Sequence, residues 1–291
     1  MPVRKITKAV IPAAGFGTRM LPAAKAVPKE LLPILDRPTI QYVLEEAAAG
    51  GIDDVLLITS RDKRALEDHF DRSGELEERL KAGGKDGLLA SLNALIARVK
   101  IHSVRQPEQR GLGDAVNQAR RHVGDDPFVC LLGDTIFSGD IGPTRQLVEA
   151  YEQLGTAVIG LEEVPLEKVN RYGIVGGTAV GPGVFRLDSL VEKPAPDAAP
   201  SRLAIAARYV LTPRIFECLD RTPRGKGSEI QLTDALRLLL EHEPIHGVIL
   251  AARRHDIGNP IDWLKTNLLF ASRDAAMWAQ LEPMLRELLE L

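Results

Sequence analysis

The chain has 291 residues, of which 45% are hydrophobic and 26% charged, and its net charge is −3. That is the make-up of a globular chain with a full core, built as one large α/β domain or two small ones, and its interspersed charges exclude the polybasic footprint of a nucleic-acid or anionic-membrane binder. Cys130 and Cys218 lie in apolar settings and read as buried free thiols, no Cys/His spacing suggests zinc, and no stretch approaches the ~20 apolar residues of a membrane span, so the expected location is the cytoplasm.

Lys8 to Ala13 reads as a short buried strand running into a glycine loop. Its apolar part, Ala9 to Ala14, is too short for the core of a secretory leader. Thr39 to Ala49 is an amphipathic helix stopped by Gly50 and Gly51, and Asp54 to Thr59 is the next strand. Residues 61 to 99 are helical in pattern, with breaks expected at Gly74 and Gly83-Gly84. A strand from Lys100 to Arg105 follows, then a helix from about Gly113 to Val123, then the apolar strand Phe128 to Leu132. This alternation predicts a mixed, mostly parallel Rossmann-like α/β sheet flanked by helices. After residue 155 the pattern changes. Residues 156–162, 172–175, 184–192 and 203–211 are strand-like between Gly- and Pro-rich turns, which predicts a smaller β-rich layer. Helices return at 213–219 and 229–241, residues 245–252 form another strand, and the chain is helical from Pro260, with Trp263, Leu264, Leu268 and Leu269 on an apolar stripe.

Local chemistry concentrates in a few places. The loop Gly15-Phe16-Gly17-Thr18-Arg19 follows a strand, where glycines let a backbone approach phosphate. It lacks the Gly-Lys-Ser/Thr ending of a Walker loop, and Met20 occupies the third glycine position of a dinucleotide fingerprint. Lys29, stiffened between Pro28 and Pro33, could clamp outer phosphates together with Arg19. Asp134 ends the strand Phe128 to Leu132, and Asp256 follows the strand 245–252. If both strands belong to one parallel sheet, the two carboxylates converge on one hard cation. Taken singly, each is a common turn or cap aspartate. Glu192-Lys193-Pro194 ends another strand and could meet sugar hydroxyls and a sugar phosphate. The six histidines are scattered and form no acid–base constellation.

Together these segments resemble the bacterial UTP–glucose-1-phosphate uridylyltransferases of the sugar nucleotidylyltransferase superfamily. The likeness runs in order from Ala13–Pro33 through Gln106–Gly113, Leu132-Gly133-Asp134, Arg171–Val175, Glu192-Lys193-Pro194, Ala207–Val210 and Gly227–Asp234 to His255–Asn259. It implies a nucleotide-diphospho-sugar transferase fold: a single domain, 1–291, with a nucleotide-binding part (1–154), a sugar-binding part (155–259) and C-terminal helices (260–291). It also implies roles. Ala13, Ala14, Gly15, Gly17 and Thr18 hold the nucleotide, while Gln106 and Gly111 read the base. Arg19 and Lys29 hold the leaving pyrophosphate. Gly173, Glu192, Lys193 and Val210 surround the sugar phosphate, and Asp134 and Asp256 bind Mg2+. The implied substrates are UTP and glucose 1-phosphate, with neither nucleic acid nor membrane as partner, and the implied assembly is a homo-oligomer, dimer or tetramer. Two alternatives stay open at this point: dTTP in place of UTP, and a catalytically weak paralogue that binds sugar nucleotides.

Overall fold

The computed structural model describes residues 3–290, the side chains of Asp86 and Lys226 excepted. Met1, Pro2 and Leu291, which fall at the ends of expected ranges, lie outside the described residues. β1 (Lys8–Pro12) is buried on both faces: Ala9 and Ile11 enter one core cluster and Val10 the other. Burial on both sides is why its sequence is a continuous apolar run rather than an alternating one. The loop after it leads to a two-residue ribbon, β2 (Pro33–Ile34) with β3 (Arg37–Pro38), and to α1 (Thr39–Ala49), which stops at Gly50. β4 (Asp54–Thr59) follows.

The helical stretch expected over 61–99 is three helices, α2 (Arg64–Phe70), α3 (Gly74–Ala82) and α4 (Ala90–Arg98). Gly74 opens α3 rather than breaking a helix, and Gly83 caps its end. β5 (Lys100–Arg105) comes next, and the helix expected over 113–123 divides into α5 (Leu112–Asn117) and α6 (Arg120–Val123). β6 (Phe128–Leu131) is buried along its whole length.

From here the chain runs through β7 (Thr135–Ser138), α7 (Pro143–Leu154), β8 (Ala157–Glu163), β9 (Gly173–Gly181), β10 (Val184–Glu192) and β11 (Leu203–Leu211). It continues through α8 (Ile215–Arg221), α9 (Leu232–Leu240), β12 (Ile245–Ile249), β13 (Arg253–Asp256), α10 (Pro260–Ala271) and α11 (Ala275–Leu289). The expected apolar stripe of α10 is only partly used: Trp263 packs on the core, while Leu264 and Leu268 are exposed.

Nine strands form one sheet in the order β5-β4-β1-β6-β11-β8-β12-β10-β9. Pairing is parallel through β5-β4-β1-β6 and between β8 and β12. β11 enters antiparallel between β6 and β8, and β10 is antiparallel to both its neighbours. The parallel character therefore resides mainly in the N-terminal half. The β-rich segments after residue 155 are no separate layer; they extend the same sheet, and a second pairing of β9 with β11 curls its far end back. β7 and β13 stand apart as an antiparallel pair.

Candidate active site

The carboxyl end of β1 opens into the glycine loop. Pro12, Ala13, Ala14, Gly15, Gly17 and Thr18 line a cavity of about 450 Å3, which Gln106, Gly111, Lys29 and Asp134 complete. Ligands of open α/β sheets bind at such strand ends. The loop's first turn is braced from below: buried Lys63 donates to the carbonyl of Ala13 (2.5 Å) and to both oxygens of Glu30 (3.0 and 2.8 Å). Gly111 has φ 102°, in the region that side chains disfavour, and a Cβ there would lie 2.8 Å from Ile230 O. Gln106 follows β5 directly and is 4% exposed; its Nε2 donates to Asp114 Oδ2 (2.7 Å) and to Gly111 O (3.2 Å).

A second cavity, about 680 Å3, adjoins the first and shares Lys29, Leu112, Leu132, Asp134 and Glu229 with it. Arg19, Gly173, Glu192, Lys193 and Asp256 line it. β10 ends at Glu192, and Lys193 turns into a left-handed conformation (φ 46°), its N–H donating to Tyr172 O (3.0 Å). The irregular ending brings both side chains to one side, where the Lys193 ammonium lies 3.0 Å from Glu192 Oε1. Thr233 Oγ1 donates to the other oxygen of Glu192 (2.7 Å).

Asp134 and Asp256 reach this cavity by a route other than two parallel strands of one sheet. Asp134 does follow β6, but β12 ends at Ile249, and Asp256 arrives on β13. The ladder with β7 sets Asp256 opposite Thr135, and Ile257 N–H donates to Asp134 O (2.9 Å). Asp134 forms an ion pair with Lys29. Burial alone would push its carboxyl up, but the charges of Lys29 and Arg19 outweigh it and hold Asp134 below the usual carboxylate range. Burial likewise works against the Lys29 charge, yet Asp134 and Glu30 hold the ammonium above its ordinary value. Asp256 Oδ1 accepts from Gly258 N–H (2.8 Å), and a Cβ at Gly258 would lie 2.5 Å from an Arg19 guanidinium nitrogen. Gly258 thus leaves the room that the Arg19 guanidinium occupies beside this turn. Among the described residues no cluster of three or more His, Cys, Asp or Glu side chains could hold a metal. Asp134 and Asp256 line the same cavity, and two carboxylates there suit magnesium, which takes one or two carboxylates and completes its shell with phosphate oxygens and water.

Val210 does not reach the second cavity. Side chains alternate along β11, so Val210 is wholly buried in the cluster with Val158 and Leu147, while Tyr209 lines the cavity in its place. Arg171, Tyr172, Thr233 and Arg254 also line it without having been given roles from the sequence. The first three lie in segments that carried the family resemblance. Arg254, paired with Glu162 and stacked 4.4 Å over Tyr172, had no local signal. Cys130 and Cys218 are buried and free, and burial pushes the Cys130 thiol up to about 12, which leaves it inert.

A family model described as nucleotidyl transferase matches residues 8–273. A UTP–glucose-1-phosphate uridylyltransferase of Bacillus subtilis, YngB, is 46% identical over 287 residues, spanning 99% of this chain and 97% of the relative. The solved UTP-bound UGPase from Acinetobacter baumannii is 36% identical with a TM-score of 0.89, covering 97% of this chain and 99% of that one. A solved UDP-glucose pyrophosphorylase complexed with UDP-glucose is 37% identical with a TM-score of 0.86, covering 92% and 99%. By these matches the chain belongs to the nucleotidyl transferase family, in the branch of the UTP–glucose-1-phosphate uridylyltransferases.

Proposed function

We propose that this protein is an enzyme that transfers the uridylyl group of UTP to α-D-glucose 1-phosphate, giving UDP-glucose and pyrophosphate. The observation that carries this reading is the pair of adjoining cavities that share Lys29 and Asp134. A nucleotide in the first and a sugar phosphate in the second meet at that shared wall. The names of the relatives, one solved with UTP and one with UDP-glucose, support it. We read residues 1–154 as the nucleotide-binding part and 155–259 as the sugar-binding part of a single domain, joined by the continuous sheet.

In this reading the backbone of Ala13, Ala14 and Gly15 lies along base and ribose, and that of Gly17 and Thr18 along the phosphates. Arg19 and Lys29 neutralise the β- and γ-phosphates. Lys193 and Glu192 hold the sugar's phosphate and hydroxyls. An oxygen of the sugar phosphate forms a bond to the α-phosphorus in line while the bridging oxygen to the β-phosphorus leaves with its electron pair as pyrophosphate. The attacking phosphate monoester is already ionised near neutral pH, so the site needs no strong base; positioning and charge stabilisation carry the step. Asp134 and Asp256 would hold Mg2+, which when bound screens the repulsion between the two anionic substrates.

We place the enzyme in the cytoplasm; among the described residues no helix is long and apolar enough to cross a membrane. We also read it as a homo-oligomer, and the exposed Ile261 and Leu264 of α10 with Met284 and Leu288 of α11 support that reading. Sedimentation of the pure chain tests it.

Pyrophosphate release with glucose 1-phosphate and each of UTP, dTTP, CTP and ATP tests the activity. Fastest turnover with UTP is expected. A preference for dTTP, or UDP-glucose binding without turnover, would overturn the proposal.

A further inference from the structure

We infer that Asp114 is a positioning residue for base selection: its carboxylate fixes the Gln106 amide so that only the carbonyl oxygen is offered to the nucleotide cavity. The inference rests on the reading of the 450 Å3 cavity as the base site and deepens it. A free glutamine amide offers a donor face and an acceptor face, and by rotating can serve bases of either pattern. Gln106 is not free. Its Nε2 donates to Asp114 Oδ2 at 2.7 Å and to Gly111 O at 3.2 Å, so both amide hydrogens are committed inside the protein. The two partners are a carboxylate and a carbonyl, both acceptors only. Turning the amide over would set its oxygen against two other oxygens, so the chemistry of the partners decides the orientation. Gln106 Oε1 accepts no hydrogen bond from the described residues, and Gln106 lines the cavity.

Asp114 is itself held firmly. It lies in the first turn of α5, where its negative charge is favoured by the helix dipole. The start of that helix is fastened to the segment before α9: Gly113 N–H donates to Ile230 O (2.8 Å), and Ile230 N–H to Arg110 O (2.7 Å). A Cβ on Gly113 would lie 2.8 Å from the Ile230 side chain, so the helix start sits close against it. The backbone of Gln106 is pinned on the other side, its N–H donating to Thr59 O (2.9 Å).

An acceptor in a fixed place reads one feature of a pyrimidine. Uracil and thymine carry an N3–H that donates to it; cytosine presents the N3 lone pair instead. The wrong base leaves two acceptors facing each other, and a site built to receive a hydrogen bond rejects the partner that lacks it. Asp114 thus turns an ambivalent side chain into a one-way reader of the imide edge. It gives no discrimination between uracil and thymine, which share that edge.

The test uses Asp114→Asn, which keeps the shape and removes the charge and the one-sidedness of the acceptor. An asparagine can accept from Gln106 or donate to it, so the amide becomes free to turn. The ratio of kcat/KM for UTP to that for CTP should fall about 10–100-fold, a partial loss because Gly111 O still favours the original orientation. The KM for glucose 1-phosphate and the melting temperature should stay near those of the unaltered protein. Asp114→Ala should lower the same ratio. An unchanged ratio in both folded variants, or equal losses with UTP and CTP, would overturn the inference. Should neither variant fold, the side-chain 15N amide signal of Gln106 in the unaltered protein, assigned by its loss in Gln106→Ala, decides the matter. Slow proton exchange before UTP is added is expected, and fast exchange refutes the lock. If the unaltered protein instead fails to use UTP, the base-site reading fails rather than the Asp114–Gln106 arrangement, which the 15N signal reports independently.

Discussion

The most exposing test of the fold's logic is Glu46→Gln. Arg208 on β11 is 0% exposed, and among the described residues its charge is met by a single carboxylate, Glu46 on α1. Glu46 Oε1 accepts from Arg208 Nε (2.9 Å), Thr144 N (3.1 Å) and Thr144 Oγ1 (2.6 Å), and Oε2 accepts from Arg208 Nη2 (2.8 Å). Arg208 spends its other hydrogens on Leu132 O (3.4 Å), Ala207 O (3.1 Å) and Thr135 O (2.8 Å). Leu132 and Thr135 flank Gly133-Asp134, so one guanidinium ties α1, β11 and the Asp134 turn together. A glutamine at 46 turns one acceptor into a donor and leaves the buried charge without a counter-ion. Removing one partner of a buried pair costs about 3–5 kcal/mol. For a chain of this size that is a drop in Tm of roughly 5–8 °C. Urea titration followed by circular dichroism, with thermal melts alongside, measures it. Double replacement, Glu46→Gln with Arg208→Met, should cost clearly less than the two single losses added together, because once the guanidinium is gone no charge is left orphaned. A Glu46→Gln protein within about 0.5 kcal/mol of the parent, the range of an ordinary surface change, would refute the reasoning. So would strict additivity in the double variant.

Three further outcomes follow from the site. Lys193→Ala should raise the KM for glucose 1-phosphate and lower kcat, for a loss of roughly 10–100-fold in kcat/KM, with less effect on the KM for UTP; Lys193→Arg should rescue only in part, and steady-state kinetics with each substrate varied in turn decides this. Asp134→Asn and Asp256→Asn should each cut kcat on the order of 10²–10³-fold, as loss of several kcal/mol of charge stabilisation requires; the double variant should lose less than the product of the two factors, and full additivity, or magnesium dependence unchanged in both, would count against a shared ion. Gln106→Ala should weaken UTP binding and narrow the preference for UTP over CTP by about 1–3 kcal/mol; a preference that survives intact, in competition assays with both nucleotides, would return Gln106 to a purely structural role.

The sequence by itself determined the elements whose signals are local. β1 and β6 are continuous apolar runs because both faces are covered, and the glycines and prolines around residues 15–33 mark the loop between β1 and α1. Charge types were legible for the same reason: Arg19, Lys29, Asp134, Glu192, Lys193 and Asp256 all line the paired cavities. Only the tertiary structure decided what depended on partners distant along the chain. That the β-rich half extends the first sheet instead of forming its own layer is set by β11 inserting antiparallel beside β6. Asp256 meets Asp134 through the β7–β13 ladder, a pairing between segments more than a hundred residues apart that no local pattern announces. On β11 a single step of register exchanges Tyr209 for Val210 in the cavity, because side chains alternate with a period of two and a family motif names residues without saying which face they take. Gln106 lost its donor face to Asp114, eight residues on and in the next helix. Arg208, an arginine in an apolar strand, became the most deeply buried charge beneath the site because Glu46 arrives from α1 to meet it. A hydrogen bond or ion pair needs two groups within about 3 Å, and chain order fixes such distances only within a turn or a strand; beyond that, packing sets them.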